Sequence, residues 1–198
     1  NKTVSLIKSR TKILEYDKLL LATGASPNTP KIDGIQYDGV STCWTLSDAR
    51  YILSSIKKGS DVVLMGAGFI GCIILEALVK SGANLTVIEM ESRMVPRMMN
   101  EDAGSLIKDW CESKGVSICL ETRVESIEKQ AKGRLSLSLS NKIKIEADLV
   151  VSATGVVPNT EFLSKDQIKT RRGILINRFM ETSASDVFAA GDVAEGLD

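Results

Sequence analysis

The segment from Val62 to Glu89, VVLMGAGFIGCIILEALVKSGANLTVIE, constrains this chain more than any other. An apolar run stops at Gly66-x-Gly68-x-x-Gly71. A stretch with helical spacing follows and stops at Ser81-Gly82, and a second apolar run ends in the carboxylate of Glu89. Strand, glycine turn, helix and strand in so short a span predict a β-turn-α-β unit. Such a unit leads to an α/β fold built on a parallel sheet.

That layout suits a dinucleotide. A pyrophosphate needs backbone N–H groups close by, and a helix N-terminus offers unpaired ones at the positive end of its dipole. Gly66 would permit the tight turn, Gly68 would let the pyrophosphate approach the backbone, and Gly71 would let the helix pack closely on the strand. Phe69 and Ile70, between the last two glycines, are candidate cofactor neighbours. Units of this kind keep an acid roughly 20 residues past the glycines. Glu89 stands at that distance, at the tip of the second strand. A carboxylate there can accept hydrogen bonds from the adenosine ribose hydroxyls and would repel a 2′-phosphate, so NADH is expected rather than NADPH. Arg93, four residues on, keeps NADPH open. At the level of this motif alone, other Rossmann enzymes such as methyltransferases fit as well.

Composition removes alternatives. Lysine plus arginine equals aspartate plus glutamate, at 25 each, so no basic excess argues for nucleic acid. Histidine is absent. A Ser-His-Asp triad, a histidine base and a histidine-ligated metal cannot come from this chain. Cys43, Cys72, Cys111 and Cys119 show neither C-x-x-C nor zinc-like spacing. They read as free thiols of a reducing compartment, which gives a cytoplasmic expectation. No signal peptide opens the chain. The longest uncharged run, Val62 to Leu75, is shorter than the roughly 18–20 residues a membrane span needs. The chain opens on Asn1 without an initiator Met, which points to a fragment of a longer protein.

Around the central unit, residues 2–8 and 11–15 predict two short strands, and Lys18 to Ala22 a buried strand ending at Thr23-Gly24. Pro27, Asn28, Pro30 and Gly34 predict a loop and a domain crossing. Ser47 is a candidate N-cap for a helix carrying Ala49, Ile52, Leu53 and Ile56 and ended by Gly59. Asn100 caps a second helix, with Glu101 and Asp102 at its positive end. Ala103, Leu106, Ile107, Trp110 and Cys111 share one face of it, Gly115 stops it, and Val116 to Leu120 is the next strand. Short alternating segments at 123–129, 134–139 and 142–145 then predict an antiparallel meander, with Leu135, Leu137 and Leu139 facing one way. A buried strand, Asp148 to Ala153, ends at Thr154-Gly155, echoing Thr23-Gly24; strands at Gly173 to Asn177 and Val187 to Ala190 precede Gly191-Asp192.

Three further segments carry a resemblance: Leu21-Ala22-Thr23-Gly24-Ala25-Ser26-Pro27, Ala153-Thr154-Gly155-Val156-Val157-Pro158-Asn159, and Thr182-Ser183 through Val187-Phe188-Ala189-Ala190-Gly191-Asp192. In this order around the glycine unit, the chain resembles the FAD-dependent pyridine nucleotide-disulfide oxidoreductase superfamily over nearly all its length. Its flavour is that of NADH oxidases, rubredoxin or ferredoxin reductases and NADH-nitrite reductase flavoproteins. The resemblance implies a Rossmann-like NAD-binding domain with an antiparallel meander, inserted in a partial FAD-binding domain. The boundaries expected are 1–28 and 156–198 for the FAD part and 29–155 for the NAD part. It implies that Gly24 and Gly155 let the backbone pass near the cofactors, that Asp192 reaches the flavin ribityl chain, and that Phe69 flanks the nicotinamide. It also implies hydride transfer from NADH to FAD and onward to an unidentified electron acceptor, small molecule or redox protein, with a homodimer open to the full-length protein. No catalytic residue, membrane or nucleic-acid partner follows. Two features depart from the pattern. The first FAD fingerprint, the redox-active cysteine region and the C-terminal interface domain are missing, so an alternative is an NAD-binding module without catalysis. And Ile73 stands where many relatives carry a glutamate near the nicotinamide.

Overall fold

A computed structural model describes residues 2–7, 12–164 and 166–196. The first strands are β1 (Thr3–Ser5), β2 (Ile13–Glu15), β3 (Leu19–Leu21) and β4 (Ala25–Pro27). The middle of the chain forms β5 (Val40–Thr42), α1 (Leu46–Ser55), β6 (Asp61–Met65), α2 (Phe69–Lys80), β7 (Asn84–Ile88) and α3 (Glu101–Ser113). It continues with β8 (Ser117–Cys119), β9 (Val124–Lys129), β10 (Leu135–Leu139), β11 (Lys144–Ala147) and β12 (Leu149–Ser152). The last strands are β13 (Val156–Pro158), β14 (Ile174–Ile176), β15 (Val187–Ala189) and β16 (Ala194–Gly196). The ends of the first two expected strands, at residues 8 and 11, lie outside the described residues. The contacts divide the chain into two units, Pro27–Gly155 and the segments flanking it.

The Pro27–Gly155 unit is a parallel sheet in the order β5-β12-β6-β7-β8. Its central strands bury side chains on both faces, which is why they read as apolar runs rather than as alternation. Val62, Leu64, Val87, Leu149 and Val151 pack with Ile52, Leu75, Leu78 and Cys111 of the helices. Val63, Met65, Ile88 and Val150 pack with Leu135, Leu137, Leu139 and Ile127 of the meander. Helices, parallel sheet and antiparallel meander (β11-β10-β9) therefore form three layers over two apolar cores. An ionic cluster joins meander to sheet: Arg134 Nη2 lies 2.7 Å from Asp61 Oδ2, and the same guanidinium has Glu146 and Asp148 at 3.4 and 3.6 Å.

Two expectations need correction in this unit. The first helix is capped by Thr45, not Ser47. Thr45 Oγ1 accepts from the Asp48 N–H and Asp48 Oδ2 accepts from the Thr45 N–H, a reciprocal capping box that requires an acid three residues after the cap. Ser47 has Arg50 at that place. The helix also ends at Ser55, before Gly59. On α3, Cys111 is buried, but Leu106 and Trp110 are 71% and 55% exposed. They line an open groove of about 370 Å³ against Cys72, Leu75 and Glu76 of α2.

In the other unit β3 pairs in parallel with β15, β1 pairs antiparallel with β2, β14 pairs in parallel with β16, and β4 lies beside β13. Its core gathers Leu21, Ile168, Ile174, Ile176, Val187, Ala189 and Val193. The Glu195 carboxylate accepts from the backbone N–H groups of Arg172 and Gly173 and from Arg171 Nε, all within 2.9 Å, and so ties β16 to the turn before β14. Among the described residues no helix is long and apolar enough to cross a membrane, and no group of three or more Cys, Asp or Glu residues could hold a metal.

Candidate nucleotide-binding site

The glycine turn lies at the carboxyl ends of β6, β7 and β12, where open parallel sheets place their ligands. Each glycine has its own reason to be glycine. Gly66 sits at φ +96°, the left-handed region that side chains rarely adopt, and a Cβ on it would come within 2.6 Å of the Ala153 carbonyl oxygen. Gly71 lets α2 approach so closely that a Cβ would overlap the Gly66 carbonyl oxygen. Gly68 is different. A Cβ there would meet no protein atom within 4 Å.

Gly68 is also the N-cap of α2, and no side chain caps that helix. The first-turn N–H groups of α2 therefore lack the side-chain oxygen that Thr45 and Asn100 give α1 and α3. The helix is open at its positive end, beside a backbone with no side chain in the way. Such an opening suits an anion. Phe69 is exposed and Ile70 half-buried at its edge. Ile73, one turn further, points its side chain to solvent.

Glu89 lies one residue past β7 and is only 5% exposed. Its Oε2 accepts from the Ala67 N–H at 2.6 Å and its Oε1 from the Glu91 N–H at 2.9 Å. The carboxylate thus holds the glycine turn from inside, a role that spacing alone did not show. Each oxygen keeps a lone pair beyond the bond it makes. Arg93, the candidate phosphate reader, is engaged elsewhere: Nε donates to the Met99 carbonyl and Nη2 to the Pro96 carbonyl, both at 3.0 Å.

Cys72 lies behind the turn, its Sγ 3.5 Å from the Ala67 carbonyl oxygen. Burial pushes its thiol up to about 11, so it remains protonated and unreactive at neutral pH. Burial also raises the thiols of Cys43 and Cys111. None of these three has the lowered pKa of a nucleophilic thiol. All four cysteines are free.

In the flanking unit, Gly24 follows β3 and Asp192 follows β15, the two strands that pair in parallel with Leu21 opposite Ala189. Their carboxyl ends therefore lie together, with Gly24 at φ +66° and Asp192 exposed in a single 3-10 turn. Asn159 braces the Gly24 turn, donating from Nδ2 to the Thr23 carbonyl and accepting from Ser26 Oγ. Gly155 belongs to the central unit at φ +102°, and its carbonyl accepts from the Asn28 N–H at 2.9 Å. The three glycines of the turn and Glu89 were legible in the sequence, and Asn159 only as the end of a motif, without its brace on the Gly24 turn. Ala67 and Val95 were not: they meet through backbone alone, the Val95 N–H donating to the Ala67 carbonyl at 2.8 Å.

A family described as pyridine nucleotide-disulphide oxidoreductase matches residues 1–198. The NADH-dependent phenylglyoxylate dehydrogenase subunit epsilon of Aromatoleum evansii is 37% identical over 175 residues, covering 88% of this chain and 41% of that protein. A NAD-dependent persulfide reductase from A. fulgidus is 36% identical with a TM-score of 0.90, covering 98% of this chain and 36% of that one. The water-forming NADH oxidase from Lactobacillus brevis, solved with NADH, is 31% identical with a TM-score of 0.87, covering 97% and 43%. An engineered water-forming NADPH oxidase made from it, solved with NADPH, is 30% identical with a TM-score of 0.86, again covering 97% and 43%. The chain thus spans about two fifths of the relatives it matches.

Proposed function

The chain belongs to the pyridine nucleotide-disulphide oxidoreductase family, and from that premise we propose that Pro27–Gly155 is the NADH-binding domain of a flavin-dependent oxidoreductase. The observation that carries this reading is the uncapped start of α2 at Gly68, open on its side-chain side, with the Glu89 carboxylate fixed at the end of β7. Backbone N–H groups of the first turn would hold the pyrophosphate. Glu89 would accept the ribose hydroxyls with the lone pairs its own bonds leave over, and Phe69 and Ile70 would flank the cofactor toward the nicotinamide. In the flanking unit Gly24 would let backbone pass beside FAD and Asp192 would hold its ribityl chain; Gly155 would pass the chain back at the crossing. These residues supply position and exclude water, while NADH and FAD supply the hydride chemistry. The acceptor is a small molecule or a redox protein.

Three observations favour NADH over NADPH. Glu89, in the role proposed for it, would set a carboxylate against a 2′-phosphate, and Arg93 is committed to two carbonyls. The third is spacing. The engineered NADPH oxidase alters a glycine, an aspartate beyond it, the two residues that follow the aspartate and a proline a little further on. At the same intervals this chain has Gly71, Glu89, exposed Met90 and Glu91, and Pro96.

The test is a titration of the chain with NADH and NADPH, followed by Met90→Arg, which leaves the Glu89 tether untouched. Wild type should bind NADH more tightly, and the arginine should move the preference toward NADPH by roughly ten- to a hundredfold, the worth of one charge-assisted hydrogen bond. A wild-type chain that binds neither nucleotide, or prefers NADPH, removes the assignment. In the full-length protein, flavin absorbance bleached by NADH supports the enzyme. A colourless protein that still binds NADH restricts it to nucleotide binding.

A further inference from the structure

We propose that Arg93 is a positioning residue for the nucleotide site, acting through the 93–99 loop on the glycine turn and touching no cofactor itself; the proposal rests on the NADH reading above. Val95 sits at φ +48°, a conformation that costs a β-branched residue energy and persists only where its surroundings enforce it. Its N–H donates to the Ala67 carbonyl at 2.8 Å. Ala67 is the residue between Gly66 and Gly68, and its own N–H is held by Glu89. Both polar groups of that peptide position are therefore gripped, one by Glu89 and one by Val95.

Arg93 is what enforces the strained turn. Its guanidinium bridges the carbonyls of Pro96 and Met99, closing the loop around Val95, whose carbonyl accepts from the Met98 and Met99 N–H groups. The start of α3 backs the loop: a Cβ on Gly104 would come within 3.0 Å of both Arg93 Cβ and the Met94 carbonyl oxygen. Met94 is fully buried and Val95 nearly so. The loop is thus a clasp with one strained contact on the turn that would carry the pyrophosphate. A lysine cannot replace the arginine, because one ammonium lacks the planar fork that reaches two carbonyls at once.

The experiment compares wild type, Arg93→Ala and Arg93→Lys for binding of NADH, NADPH and ADP-ribose, with melting temperature and hydrogen exchange at the Val95 amide as companions. Both variants should bind all three ligands about tenfold more weakly, as expected for losing hydrogen bonds from a charged donor. The NADPH-to-NADH ratio should stay constant, and the Val95 amide should exchange faster. Loss confined to NADPH and rescued by lysine would make Arg93 a phosphate reader and overturn the proposal. A lowered melting temperature with unchanged affinity of the folded protein would make it merely structural and overturn it equally. Wild type that binds no NADH removes the function reading and this one together, whereas wild-type binding with indifferent variants removes this one alone.

Discussion

At the scale of single residues, three glycines that look interchangeable in the motif do unlike things. Gly66 is required by its own backbone, Gly71 by a neighbouring carbonyl, and Gly68 by nothing in the protein. Gly66→Ala should destabilise the chain by more than about 1–3 kcal/mol, because a positive φ and a clash with backbone act together. Gly68→Ala should cost under about 1 kcal/mol, the usual penalty for alanine at an N-cap, yet weaken NADH binding at least as much as Gly66→Ala does in the molecules that remain folded. Thermal melts paired with NADH titrations would check this; equal stability losses at both positions would refute it. The glycine spacing was legible because turn, approach and packing each restrict residue type locally. The inward grip of Glu89 on Ala67 was not, since it depends on how the loop after β7 folds back, and no local pattern encodes that.

Among the elements, those that close on themselves could be read and those that depend on a distant partner could not. The β6-α2-β7 unit, the Asn100 cap of α3 and the leucines of β10 follow from period and capping chemistry within short stretches of chain. By contrast β5 is very short and has a single partner, β12, far along the chain. Leu106 and Trp110 keep helical spacing but look into an open groove, because period shows which residues share a face and not what covers it. A measurable element-level consequence concerns Glu195. Two backbone N–H groups and Arg171 hold its carboxyl at about 2, the Gly173 N–H contributing most, against an ordinary 4.5. A folded value below the unfolded one stabilises above the unfolded pKa and is lost as pH falls through the folded one. The β16 tie should therefore be complete above pH 4.5 and fade toward pH 2. Glu195→Gln should show a shallower fall of melting temperature over that window than wild type; parallel curves would show that Glu195 is not a source of the acid sensitivity.

For the molecule as a whole, the central unit has two of the three apolar cores, the glycine turn, Glu89 and the Arg93 clasp within Pro27–Gly155. Residues 27–155 alone should therefore fold cooperatively and bind NADH within a few-fold of the whole chain, measured by thermal melting and nucleotide titration. An unfolded product, or one that folds without binding, would show that the flanking segments contribute to the site. The two ends of the unit are bonded to each other: the Asn28 N–H donates to the Gly155 carbonyl, and Thr154 Oγ1 to the Asn28 carbonyl. A chain that enters and leaves a domain through one doorway can be cut elsewhere and rejoined there. A short linker from 155 back to 27, with new termini opened at the exposed turn formed by Asn141 and Lys142, should give a circular permutant of the nucleotide unit, and the same doorway would let coenzyme preference be exchanged between host proteins as a single cassette.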